Sequence, residues 1–303
     1  MRQKKEINLN EIMNKIDNVD LVNVVPQERK ISNGEIVGGN ILVESDNQGM
    51  IGTYNRDKEK LLSVFQEDYH LVDHREMIAK ISDFFGKHVR GNYWMKDDCS
   101  RLYVYIYPEE MKQLIEHPET GEKDWIDFGI RFANSYDGSN ALKVSSIAYR
   151  QVCSNGMWAQ TFKRRGYQRH TKNSSIQEFA ESIEAVIEAD YDDVLMTYQE
   201  SMTEKVPKVD VLLENVWENK NQALKKFIME KVSSTNDVSK WDVYCKATEG
   251  LTHGFRVVHG ELKTAEKYTE ETLKNLHKNA NRILSVDLDK IDWDKDVEIA
   301  GEK

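Results

Sequence analysis

Lys143, Arg150, Lys163, Arg164, Arg165, Arg169 and Lys172 all fall within residues 138–177, a stretch without a single Asp or Glu. Tyr149, Trp158, Phe162 and Tyr167 are interleaved with them. Cations at such intervals track the phosphates of a nucleic acid, and aromatic faces between them let unpaired bases stack. The densest part runs Phe162-Lys163-Arg164-Arg165-Gly166-Tyr167-Gln168-Arg169-His170-Thr171-Lys172 and reads as a loop for single-stranded nucleic acid. The binding set is Lys143, Arg150, Phe162, Lys163, Arg164, Arg165, Tyr167, Arg169 and Lys172. If about five of these cations met phosphates, the logarithm of affinity would fall with that of salt at a slope of about −3.5. A competing expectation is a solvated loop neutralised by acids of a neighbouring helix.

Catalytic chemistry finds fewer residues. Asp124, Asp127 and His170 form the best acid–base set for a nuclease, although nothing in their spacing brings them together. Asp190, Asp192 and Asp193 suit a magnesium ion beside a phosphate, or a solvated helix face. The histidines do not fall into ligand spacings: His70 and His74 straddle a strand-to-helix boundary, and Gly254 separates His253 from His259. Cys99, Cys153 and Cys245 lie far apart, as buried thiols in a reducing compartment do. Ser154 lacks the glycine-flanked elbow of a nucleophile, and the chain has neither a phosphate-binding P-loop nor a dinucleotide fingerprint. We expect no catalytic residue, no metal and no cofactor, and no ATP-driven activity.

Positioning the basic stretch requires strands on either side of it. Residues 126–132 alternate, with Ile126, Phe128, Ile130 and Phe132 on one face and Asp127 and Arg131 on the other. Asp137-Gly138 then signals a tight hairpin whose partner strand covers residues 141–152. Asn155-Gly156 signals a second hairpin, with a strand over 157–162 that delivers Lys163 to Arg165 at its end. Upstream, residues 88–95 and 101–107 alternate as two more strands. In the second, Leu102, Val104 and Ile106 face one way and Tyr103, Tyr105 and Tyr107 the other, as a stacking platform or as cross-strand packing. Further strands are expected over 19–25, 35–44, 50–54 and 69–72, with Ser32-Asn33-Gly34 as a turn. Short helices are expected over 8–16, 74–85 and 111–117.

From Ser174 the periodicity becomes helical for a hundred residues. Ser175 and Glu178 form a capping box, and an apolar stripe from Ile176 to Tyr198 predicts one helix of about thirty residues. Helices are also expected over 209–230, 239–253 and 264–284. Residues 285–303 carry seven acids against three lysines. Such a tail suits a protein partner, a mimic of phosphate that shields the basic groove, or simple solubility. The fold expected is therefore α+β, an antiparallel hairpin-rich sheet with a long packed helix followed by an all-helical region: a hairpin-rich domain over 1–173, a helical region over 174–284 packing on it, and an acidic tail over 285–303. The net charge of −10 opposes nucleic acid through the whole-molecule field, but it is unevenly spread. No apolar run is long enough to cross a bilayer and the N-terminus lacks a signal-peptide core, so a cytoplasmic protein is expected.

Two segments carry a family likeness. Asn134-Ser135-Tyr136-Asp137-Gly138-Ser139-Asn140-Ala141-Leu142-Lys143-Val144, followed by Tyr149-Arg150-Gln151-Val152-Cys153-Ser154-Asn155-Gly156-Met157, resembles the central motif of a phage/plasmid-like protein family catalogued as a domain of unknown function, of the DUF 932 type. Trp241-Asp242-Val243-Tyr244 with Ala247-Thr248-Glu249 and His253 is similar to its C-terminal helical motif. The resemblance spans roughly residues 60–285 and implies a mobile-element or viral origin, with no activity attached. Arg150 is the motif residue most expected to touch a ligand. The order of hairpins, basic segment and helix also looks like the core of viral single-strand annealing proteins, an analogy of architecture alone. The leading expectation is an ATP-independent binder of single-stranded DNA, homo-oligomeric, that anneals or protects strands. A metal-dependent nucleic-acid enzyme and a protein-interaction module are the alternatives.

Overall fold

The computed structural model describes residues 5–26, 30–32, 35–37, 40–43, 50–150, 165–171, 175–188, 191–217, 222–232, 237–253, 255–256, 262–263 and 270–295. The chain opens with β1 (Lys5–Asn8) and α1 (Leu9–Met13), whose cap Asn8 accepts a hydrogen bond from the Asn10 amide at 3.0 Å. Next come β2 (Val19–Pro26), a hairpin of β3 (Lys30–Ser32) and β4 (Glu35–Val37), then β5 (Asn40–Val43), β6 (Met50–Asn55) and β7 (Lys60–Gln66). Strands β5, β2, β6 and β7 lie in that order as one four-stranded antiparallel sheet.

Helix α2 (His74–Phe85) follows, started by Asp73, whose carboxylate accepts from the Arg75 amide at 2.7 Å, and stopped at Gly86. It leads into the main sheet. Strands β8 (His88–Met95), β9 (Arg101–Ile106), β10 (Lys112–Glu116), β11 (Lys123–Ser135), β12 (Leu142–Arg150) and β13 (Arg165–Gln168) join β1 in it. Its order is β1-β8-β9-β11-β12-β13, all antiparallel, with β10 paired to the first part of β11. The long strand β11 is the spine, because it pairs with β9, β10 and β12.

Alternation decides what each face of β11 does. Ile126, Phe128, Ile130 and Phe132 are fully buried and meet the helices. Each such side chain contributes about 1.5–3 kcal/mol over leaving it in water. Met77, Ile78 and Ile81 of α2 and Phe179, Ile183 and Val186 of α3 (Ile176–Ile187) complete this core, with Phe132 edge-on to Phe179 at 6.2 Å. The remaining helices are α4 (Asp192–Thr203), α5 (Val209–Trp217), α6 (Gln222–Val232), α7 (Lys240–His253) and α8 (Glu270–Ser285), with a two-residue pair β14 (Phe255–Arg256) and β15 (Leu262–Lys263). Helix α7 packs on α4, α6 and α8, which gives the C-terminal half a helical core of its own joined to the sheet through α3 and α4. The α+β class read from the sequence is the fold observed.

Five local expectations change. The thirty-residue helix is two helices, because Tyr191 ends the first apolar run by stacking on Phe128 at 4.4 Å and donating its hydroxyl to the Val186 carbonyl at 2.9 Å. The helix over 209–230 is likewise α5 and α6. Residues 112–116, expected in a helical turn, form a strand after a single 3₁₀ turn at Glu109–Met111. The strand over 69–72 shrinks to one bridge between Tyr69 and Thr171. Asp137-Gly138 sits in a wider six-residue connection between β11 and β12, with Gly138 at φ 72° against the Phe65 ring. The turns at Asn33-Gly34 and Asn155-Gly156, the strand over 157–162, Cys153 and Asp190 lie outside the described residues. The first part of the acidic segment is folded onto the body: Ile291 is buried and Trp293 packs beside it, its indole donating to the Leu288 carbonyl at 3.2 Å. Among the described residues no helix is long and apolar enough to cross a membrane.

Candidate nucleic-acid interface

The face of the main sheet away from the helices carries the opposite set of positions, and cross-strand register fixes who meets whom. Ala133 of β11 pairs with Lys143 of β12, which pairs with Tyr167 of β13. The Lys143 ammonium lies 5.3 Å from the centre of the Tyr167 ring, and that ring is 56% exposed. At the other end of β11, Trp125 is 41% exposed and the Lys112 ammonium lies 4.6 Å from its ring centre. Eight residues at roughly 3.3 Å each put Trp125 and Ala133 about 26 Å apart along the strand. Between these two lysine–aromatic pairs, the buried Arg131 guanidinium stacks 4.8 Å from the Tyr103 ring, and Trp94 leans on Tyr103 at 5.5 Å. Asn140 donates to the Tyr103 hydroxyl at 2.7 Å and so fixes the ring from the loop. A cation over a ring face gains roughly 0.5–2 kcal/mol depending on exposure.

One acid shares this face at depth. Asp127 is fully buried, and Arg90 meets its carboxylate at 3.2 Å while also donating to the Tyr107 carbonyl at 3.0 Å. The pair is built in, so the central carboxylate brings no free negative charge to the face. Arg90 also reaches Glu109 at 3.0 Å.

Of the residues singled out in the sequence, Lys143 and Tyr167 come together as described, and Arg169 lies just beyond β13 with its side chain exposed. Position 165 pairs with Ser145, in the same set as Lys143, whereas position 150 pairs with Ile126, in the helix-facing set. Phe162, Lys163, Arg164 and Lys172 lie outside the described residues. The tyrosine row divides: Tyr103 and Tyr107 are buried in the face and Tyr105 is half-buried. Sequence reasoning missed Lys112, Trp125 and Trp94. The parity that set Asp127 and Arg131 on a common face also includes position 125, and that was the available signal.

A family model described as "Domain of unknown function (DUF932)" matches residues 61–282, nearly three quarters of the chain. The chain belongs to this family. No curated protein and no solved structure matches. Every residue of the two lysine–aromatic pairs lies inside the DUF932 segment.

The Asn134–Asn140 stretch, inside the matched segment, does structural chemistry. Tyr136 is buried, stacks on His74 at 3.8 Å, donates its hydroxyl to Asp73 at 3.0 Å and accepts from the His74 amide at 2.7 Å. Asn134 donates to the Val72 carbonyl and to His74 Nδ1, both at 2.9 Å, which leaves Nε2 to donate to the Cys99 carbonyl at 2.9 Å. Burial pushes the His74 imidazole down to about 3, so it stays neutral in that tautomer. Asp137 accepts from Arg101 at 2.6 Å and from the Ser139 amide at 3.0 Å. The Asn134–Asn140 motif thus ties the start of α2 to the β11–β12 connection, just behind Lys143.

The acid–base set does not assemble. Asp124 and Asp127 alternate to opposite faces of β11. His170 lies beyond β13, level with the far end of β11, roughly 23 Å or more from Asp127 by the strand rise. Burial also pushes its imidazole down, against Tyr69 at 5.4 Å. Among the described residues, no three His, Cys, Asp or Glu side chains are grouped so as to hold a metal ion.

Proposed function

We propose that this chain is an ATP-independent binder of single-stranded nucleic acid, DNA in the first instance, that protects or anneals strands during replication or recombination of a phage, virus or plasmid. The observation that carries the reading is the repetition of one device on one sheet face: a lysine held over an exposed aromatic ring, at Lys112 with Trp125 and at Lys143 with Tyr167. An exposed aromatic ring offers a base a stacking partner of any sequence, and the lysine beside it meets the phosphate that follows. In the sequence, Arg164, Arg165 and Arg169 flank Tyr167 and add charge to that segment. A local cationic face can bind phosphate within a chain of net charge −10, because at physiological salt the field of distant acids is screened within about 8 Å.

The experiment is fluorescence anisotropy of a labelled oligothymidylate titrated with the full chain across a salt series. The expected slope is about −3.5 for five phosphate contacts. Binding of unchanged affinity after replacing both Trp125 and Tyr167 by Ala would sink the reading. The metal-dependent enzyme is the weaker alternative, since the acid–base residues that motivated it are spread over both faces and both ends of β11.

A further inference from the structure

The other half of the face concerns β10. Its inner edge pairs with β11, from Lys112 opposite Asp127 to Glu116 opposite Lys123, and among the described residues its outer edge has no strand partner. An open edge presents unpaired amides and carbonyls to another strand, and proteins that must stay single blunt it with Pro, a bulge or an inward charge. Strand β10 reads Lys-Gln-Leu-Ile-Glu and has none of these at its centre. Leu114 at that centre is instead 42% exposed, directly opposite the exposed Trp125.

The sequence of the edge is complementary to itself. Set antiparallel about a two-fold axis at Leu114, Lys112 falls opposite Glu116 of a second copy, Glu116 opposite its Lys112, and Leu114 opposite its Leu114. Both charge pairs are attractive, and the one apolar side chain at the centre meets its equivalent. No other register of this strand against itself pairs both charges. Helix α4 packs near β10, and the buried Ile115 places that helix over the sheet's inner face, the face opposite Leu114.

We propose that two copies of this chain associate through β10, pairing antiparallel across Leu114 so that the two main sheets become one. An antiparallel join of this kind has its axis perpendicular to the sheet and keeps like faces on the same side. The Lys112–Trp125 pairs of the two copies then flank the join. Where single-strand binding holds as proposed above, the two faces form one continuous track. The association itself does not depend on that reading.

The test is sedimentation velocity of the full chain without nucleic acid, over a concentration series. The wild-type chain is expected to dimerise. Lys112→Glu and Glu116→Lys each place like charges opposite one another twice, and each is expected to weaken self-association by on the order of tenfold. An equimolar mixture of the two variants is expected to form the mixed dimer, and the double variant K112E/E116K to self-associate again. These side chains lie at the surface, and circular dichroism melting shows whether each variant folds; Leu114→Arg gives the same loss should a reversal variant fail. A wild-type chain that stays monomeric at tens of micromolar overturns the proposal. So does an oligomer indifferent to both reversals, since it is built through another surface. Because no nucleic acid is present, a loss here is distinct from a loss of strand binding.

Discussion

Tyr167 and Lys143 face each other across paired strands, and truncating either one changes the other. Replacing Tyr167 by Ala removes a stacking surface and the ring under the lysine; single-strand affinity is expected to drop roughly 5- to 150-fold, whereas Tyr167→Phe keeps it. Anisotropy titrations of the three chains measure this. Histidines make a second residue-scale prediction. Burial pushes His74 and His277 down to about 3, below the ordinary histidine range near 6.5. Between those values the unfolded chain binds protons that the folded chain refuses. Stability present above about pH 6.5 is therefore lost as pH falls, at about 1.4 kcal/mol per pH unit for each of the two. Denaturant unfolding at pH 7 and pH 5 checks this, and His74→Gln is expected to reduce the slope, on top of a lower stability at both pH values.

Strand β13 is short, and what holds it is its glycine. Gly166 faces α3, where a Cβ would stand 2.3 Å from Ser182 Cβ and 2.7 Å from a Val144 methyl group. Gly166→Val is expected to cost about 1–3 kcal/mol by overpacking, read from the denaturant midpoint, and to weaken strand binding by moving Tyr167. Ser182→Ala leaves its Cβ in place and is not expected to rescue it. At this scale much was legible. The alternation in 88–95, 101–107 and 126–132 identified three central strands and their buried faces, because two-residue periodicity over six or more residues has no helical counterpart. Residues 112–116 were not legible: five residues with two apolar positions fit a helical turn as well as a strand, and only pairing with 123–127 decides. The break between α3 and α4 was hidden because Tyr191 continues the helical stripe in sequence while its ring turns to Phe128. The likeness of Lys112–Trp125 to Lys143–Tyr167 depends on register across strands, which local spacing does not contain.

Across the whole molecule, the boundary of the family match and the boundary of the folded body differ. The DUF932 segment begins at residue 61, one residue into β7, yet β7 pairs along its length with β6, and the Thr53 hydroxyl of β6 donates to the Tyr136 carbonyl at 2.7 Å. Strand β1 closes the edge of β8 in the same way. At the other end, Lys240 of α7 donates to the Val286 carbonyl at 2.9 Å, beyond the match. A fragment of residues 61–282 is thus expected to lose cooperative thermal unfolding, while the full chain keeps it, as differential scanning calorimetry would report. The hydrogen bond from Thr53 to Tyr136 also bears on inheritance. Because the leading strands are anchored to Tyr136, inside the matched segment, a recombination event that exchanged the segment at residue 61 would have to carry a compatible N-terminal sheet with it. The unit that folds is larger than the segment that the family model matches.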